Sequence, residues 1–270
     1  MKQGIGIIDS GVGGLTVAKE VLRQLPREAI YYFGDTARCP YGPRPAEEVR
    51  IFSWQMIEFL LKENIKALMI GCNTAAAVVL QEVSEQLDIP VIGVIEPGAR
   101  TAIKETKTGQ VAVIGTDGTI RSEAYAQALK KLNPQIQVTS LACPTLVPLV
   151  ESGKLHDREG LEIVRGALQP LANETFDTLI LGCTHYPLIA HFIQEVVGNG
   201  VKLISSAEEA ARELSAVLSF RRMLANGGDT VNPDHRFFAS GNSELFMSIA
   251  EEWLHIKVEA HQAILEKKGK

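Results

Sequence analysis

Residues 179–187 read LILGCTHYP: an apolar run ends, and a thiol (Cys183), a hydroxyl (Thr184) and an imidazole (His185) follow in a row. A thiol beside an imidazole can act as a nucleophile or as an acid/base group. A small buried cysteine next to a hydrogen-bonded histidine fits the same letters. A second stretch bears on the choice. Residues 68–73 read LMIGCN, so both segments run from apolar strand to glycine to cysteine to a hydroxyl or amide. Earlier in each half, IGIIDSG (5–11) and VAVIGTD (111–117) echo one another at nearly the same separation. Two echoes in one order point to two related α/β units. Open parallel sheets bind ligands beyond the carboxyl ends of their strands, and both cysteines lie there. If the units face each other, Cys72 and Cys183 look across one cleft. Opposed thiols suit a two-base proton transfer, in which one removes a proton from one face and the other delivers a proton to the opposite face.

The elements that must hold these groups are legible as alternating βα units. Short apolar runs predict strands at 5–8, 31–33, 67–70, 91–94, 111–114, 136–141, 178–181 and 201–204. Longer amphipathic stretches predict helices at 15–25, 45–62, 74–87, 97–106, 122–132, 157–172, 187–197, 206–225 and 244–254. Near-continuous apolar strands separated by helices mean mainly parallel sheets covered on both faces, a three-layer α/β architecture in each unit. The expected units are 1–96 together with 207–270, and 97–206, with the site in the cleft between them.

The 270 residues are 46% hydrophobic and 22% charged, ample for a globular core. A net charge of −5 gives no nucleic-acid footprint. The basic EKKGK ending reads as a solvated tail. No signal peptide or membrane-length apolar run is present, so a cytoplasmic location is expected. The four cysteines, at 39, 72, 143 and 183, form no CxxC pair. Neither a disulfide framework nor a zinc site is expected. Cys39 and Cys143 read as structural. His156, His191, His235, His255 and His261 read as surface or packing residues. GVGG (11–14) fails the dinucleotide fingerprint, because Thr16 stands where its last glycine belongs. Its glycines are expected to let backbone amides approach a substrate. Asp9 lies too far before Leu15 to cap a helix there, which favours a functional role.

DSGVGGLT (9–16), GDTARCPYGPR (34–44), GCNTA (71–75) and LGCTHYP (181–187) together resemble the glutamate-acting branch of the cofactor-independent aspartate/glutamate racemase family. Each motif alone is weak; four in order, with both cysteines in place, are specific. The resemblance implies two α/β domains with glutamate bound between them. It implies interconversion of L- and D-glutamate without pyridoxal phosphate or metal, supplying D-glutamate for bacterial peptidoglycan. It assigns Cys72 and Cys183 as the acid/base pair, with Asp9 and His185 assisting. Substrate contacts fall at Asp9, Ser10, Tyr41, Gly42, Asn73, Thr74, Thr184 and His185, and Thr116 adds a further one. Hydroxyls and amides at helix starts (Ser10, Thr74, Thr184) suit a carboxylate. Arg38 and Arg44 fit a carboxylate contact or a solvated loop equally well, and Glu151 is a further candidate. The alternatives are a racemase of another amino acid such as aspartate, a thiol-dependent hydrolase or transferase using Cys183 and His185, and a non-catalytic two-domain binding protein. The oligomeric state is open, a homodimer being one option.

Overall fold

Near-continuous apolar runs become strands buried along their whole length, as in GIGIID and TLILG. Such strands can only pair in the middle of sheets covered on both faces. The computed structural model describes residues 3–152, 157–225 and 233–265. His156 and the EKKGK tail lie outside the described residues. The chain begins with β1 (Gly4–Asp9), α1 (Leu15–Gln24), β2 (Ile30–Gly34), α2 (Ala46–Lys62), β3 (Ile65–Ile70), α3 (Asn73–Gln86) and β4 (Val91–Gly93). Helix α4 (Ile95–Glu105) leads to β5 (Gln110–Gly115), α5 (Asp117–Arg121), α6 (Ala124–Leu132), β6 (Gln137–Ala142), α7 (Leu146–Glu151), α8 (Arg158–Leu168), β7 (Thr178–Gly182), α9 (Ala190–Val197) and β8 (Lys202–Ser205). Helix α10 (Ser206–Phe220) then returns to β9 (Arg236–Ala239), α11 (Ser243–Leu254) and β10 (Ala260–Gln262).

The strands form two sheets, ordered β10-β9-β2-β1-β3-β4 and β6-β5-β7-β8, with parallel pairing throughout. The order β2-β1-β3-β4 repeats as β6-β5-β7-β8, so the internal echo in the sequence is an echo in topology. It extends to single hydrogen bonds: Asp35 N–H donates to Asp9 O at 3.0 Å, and Cys143 N–H to Gly115 O at 2.8 Å. In each sheet the chain leaves its central strand toward one side and then crosses to the other. The crevice at that reversal is where α/β sheets bind ligands. Asp9 and Cys72 end one pair of strands there; Thr116 and Cys183 follow the other pair.

Alternate residues of the second sheet face different cores, as the two-residue period requires. Val111, Val113 and Ile180 join the large core of the first sheet, whereas Ala112, Ile114, Leu179 and Leu181 pack into a separate cluster with Leu146, Val164 and Phe192. Ile95, Ala99 and Ala102 of α4 and Ala207, Ala210, Ala211 and Leu214 of α10 belong to the large core. These two helices tie the sheets together.

All eight expected strands and nine expected helices are present, with shifted ends. The stretch 187–197 opens as a 3₁₀ turn, Tyr186–Ile189, before α9, and 206–225 stops being helical at Phe220. Among the described residues, four elements are additional. β9 is a four-residue run and β10 carries one apolar letter in three, too little for a period to register. α5 is one turn long, and α7 contains Pro148 in its first turn, where the missing N–H is not needed.

Candidate active site

Beyond the carboxyl ends of β1, β3, β5 and β7 lies a cavity of about 20 Å³. Cys72 and Cys183 both line it, each 5% exposed. Ser10, Tyr41, Gly42, Asn73, Thr74, Thr116, Thr184 and His185 complete the expected set around it, joined by Cys39, Pro40 and Val147. The volume holds about one water, so an amino acid enters only when the walls separate. Of the expected acid/base and substrate-contact residues only Asp9 is absent from the lining. It is fully buried behind it, where Oδ1 accepts from Gly11 N–H at 3.0 Å and Oδ2 from the Thr184 hydroxyl at 3.4 Å.

Cys72 immediately precedes α3, within reach of that helix's free amides. Its thiol donates to Ser10 Oγ at 3.5 Å. Burial, with the Asp9 carboxylate adding to it, pushes the thiol up to about 12, against the pull of Ser10 and the Ala75 N–H. Beside it, hydroxyls form a triangle: Thr74 to Thr116 at 2.8 Å, Thr116 to Thr119 at 3.1 Å and Thr74 to Thr119 at 3.3 Å. Gly42 O accepts from Gly118 N–H at 2.9 Å, fixing that loop against α5.

The Cys183 wall is built differently. No α-helix follows at once; the 3₁₀ turn does, and His185 Nδ1 sits 3.7 Å from Cys183 Sγ. His185 Nε2 lies 3.3 Å from Glu151 Oε1, within ion-pair distance but off the line of a hydrogen bond. Burial opposes charge on this imidazole, yet the Cys183 thiol, Glu151 and Asp9 outweigh it and raise its pKa to about 10. His185 in turn lowers the pKa of Glu151. Burial raises the Asp9 pKa to about 6, partly countered by His185 and by the Gly11 and Gly14 amides. The site thus favours the protonated form of an imidazole that lies between two carboxyl groups and beside one of its thiols.

This arrangement fits proton transfer at carbon, and similarity to known proteins agrees. The model of the family described as Asp/Glu/Hydantoin racemase matches residues 5–214. A glutamate racemase of Bacillus cereus is 56% identical over 96% of each chain. The chain belongs to the Asp/Glu/hydantoin racemase family. The fold of a glutamate racemase isoform from Bacillus anthracis superposes with a TM-score of 0.94 at 52% identity, over 97% of this chain and 98% of that one. A glutamate racemase from Francisella tularensis, solved in complex with D-glutamate, gives 0.89 at 35% identity over 98% of both.

Within this racemase fold several readings change. Of the GVGG glycines, Gly13 brings backbone against the Cys183 wall and Gly14 against Asp9. A Cβ on Gly13 would stand 2.5 Å from the His185 ring and from Thr184 Oγ1, and one on Gly14 would stand 2.4 Å from Asp9 Cβ. Cys143 is buried as expected of a structural residue, but Cys39 lines the cavity and its thiol is 3.7 Å from Glu151 Oε1. Arg38 and Arg44 stay out of the lining. Arg38 pairs with Asp35 at 2.7 Å and lies 3.9 Å from the centre of the Phe52 ring; Arg44 pairs with Glu48 at 3.0 Å. Both hold the loop that carries Tyr41, whose hydroxyl donates to the same Asp35. Thr119 was not anticipated. Its signal was a second threonine three residues after Thr116, the spacing of a helix N-cap, and Thr116 Oγ1 does accept from Thr119 N–H.

Proposed function

We propose that this chain is a glutamate racemase that interconverts L- and D-glutamate by two-base proton transfer at Cα, without a cofactor. The observation that carries the reading is the placement of Cys72 and Cys183, one from each repeated strand order, on the lining of a single buried cavity. The α-proton of an amino acid is a very weak acid, so catalysis depends on stabilising carbanion-like charge in the transition state. Asn73, Thr74, Thr184 and Thr116 supply donors for carboxylates. The His185 cation lies where it can compensate negative charge when Cys183 takes up its role as base. Cys72, protonated in the closed cavity, is ready as the acid. In the reverse direction the two exchange tasks. Glutamate is enclosed between the units 1–96 with 207–270 and 97–206. The reaction belongs in the cytoplasm, where D-glutamate enters peptidoglycan synthesis.

Cys72→Ala and Cys183→Ala test this reading in a chiral assay with no added cofactor. Each should lose activity by about 10³-fold or more in both directions, because reversal along one path uses both groups. A hydrolase or transferase built on Cys183 and His185 would survive the loss of Cys72, and near-normal racemisation by either variant would sink the two-thiol assignment.

A further inference from the structure

Among the described residues, two buried nitrogens at the cavity make no hydrogen bond: His185 Nε2, which faces Glu151, and Asn73 Nδ2. Asn73 is 2% exposed and lines the cavity, yet its Nδ2 makes no hydrogen bond. The other end of the same amide is tied down: the Tyr125 hydroxyl donates to Asn73 Oδ1 at 2.7 Å. Tyr125 lies on α6, across the junction from Asn73 on α3, and is itself 2% exposed. Its ring has little freedom. A Cβ on Gly182 would come within 3.1 Å of it, a Cβ on Gly98 within 3.5 Å, and the Ser206 hydroxyl lies against the phenol.

An amide whose oxygen is occupied by a phenol can offer its remaining polar atom only as a donor, and an ionised carboxylate offers only acceptors. Buried polar groups are nearly always paired, with protein or with water, so the free Nδ2 calls for an acceptor that the cavity admits. We propose that Tyr125 is a positioning residue that fixes the Asn73 amide with Nδ2 directed at a carboxylate of the bound amino acid. The inference rests on the glutamate racemase reading, which supplies that carboxylate. Because the phenol and the amide come from opposite sides of the junction, the donor is set only when the two sides are together, so closure around substrate and orientation of Asn73 are one event.

Tyr125→Phe keeps the ring and removes only the hydroxyl. It should lower kcat/KM for L-glutamate about tenfold, as expected for loosening one charge-assisted hydrogen bond. Asn73→Ala should lower it further, and the double variant should be no worse than Asn73→Ala alone, because Tyr125 acts through that amide. A purely packing role for Tyr125 would instead give additive losses. A second readout needs no Tyr125 variant: the Asn73 side-chain amide protons should move downfield on saturation with glutamate. Wild-type kcat/KM in Tyr125→Phe, additive losses, or an unmoved Asn73 amide resonance in a protein that racemises glutamate would overturn the role of Tyr125 alone. A wild-type protein inert toward glutamate would overturn it together with the racemase reading.

Discussion

The two walls of the cavity share a strand order but not a chemistry. On the first wall, Cys72 sits at the start of a 14-residue helix with a serine hydroxyl 3.5 Å away. On the second, Cys183 is followed by a 3₁₀ turn, and an imidazole whose pKa is raised lies 3.7 Å from its sulfur. Repetition of the fold therefore supplied two thiols in equivalent places, while the local sequence after each one, Asn-Thr-Ala against Thr-His-Tyr-Pro, supplied different means of managing charge. Racemisation makes that difference tolerable. Free L- and D-glutamate are mirror images of equal energy, so kcat/KM must be equal in the two directions however unlike the walls are. On the two-thiol mechanism proposed above, each wall serves both as acid and as base, but it need not do so by the same neighbours.

The largest expected asymmetry between the walls comes from glycine. Gly13→Ala drives a methyl into the His185 ring, with a first contact at 2.5 Å, whereas Gly71→Ala on the Cys72 side meets the Ile8 carbonyl at 3.2 Å. Displacing His185 by the needed fraction of an ångström should cost about 100-fold in kcat/KM, and Gly71→Ala should cost clearly less. Equal losses from the two substitutions would break the contrast. A smaller effect concerns stability. The pKa of His185 is raised in the folded state from 6.5 to about 10. The stability gained from its charge is therefore fully present below about pH 6.5 and is lost as pH rises through 10. Denaturant midpoints of the wild-type protein should fall across that window more steeply than those of His185→Asn. Parallel curves would contradict a buried imidazolium on the Cys183 wall.

Much of this contrast was legible in the sequence. The strands were visible because apolar runs such as IGII and TLIL have nowhere to go but the middle of a sheet, and the cysteines were visible because two echoes placed them at equivalent strand ends. Asp9 was recognised as too far from α1 to cap it, and it is instead buried against Gly11 and Thr184. What stayed hidden was set by tertiary contact. Nothing local marks Gly13 as the surface against which His185 packs, since the two are far apart in the chain. Tyr125 meets Asn73 across 52 residues through a junction that no periodicity describes. Glu151 was legible only as a further candidate, because α7 carries an internal proline and the approach of Glu151 to His185 depends on the second sheet.

The central claim, two opposed thiols, is tested most directly by following solvent hydrogen. L-Glutamate is converted in D2O, the reaction is stopped early, and the enantiomers are separated and weighed by mass spectrometry. The proton should leave to the thiolate on one wall, and a deuteron should arrive from the solvent-equilibrated thiol on the other. Early D-glutamate should then carry deuterium at Cα while the remaining L-glutamate stays protiated, and starting from D-glutamate should give the mirror result. Protium retained in early product, or deuterium entering unreacted substrate as fast as product forms, would mean that one group serves both faces and would contradict the assignment of Cys72 and Cys183 to opposite sides of the substrate.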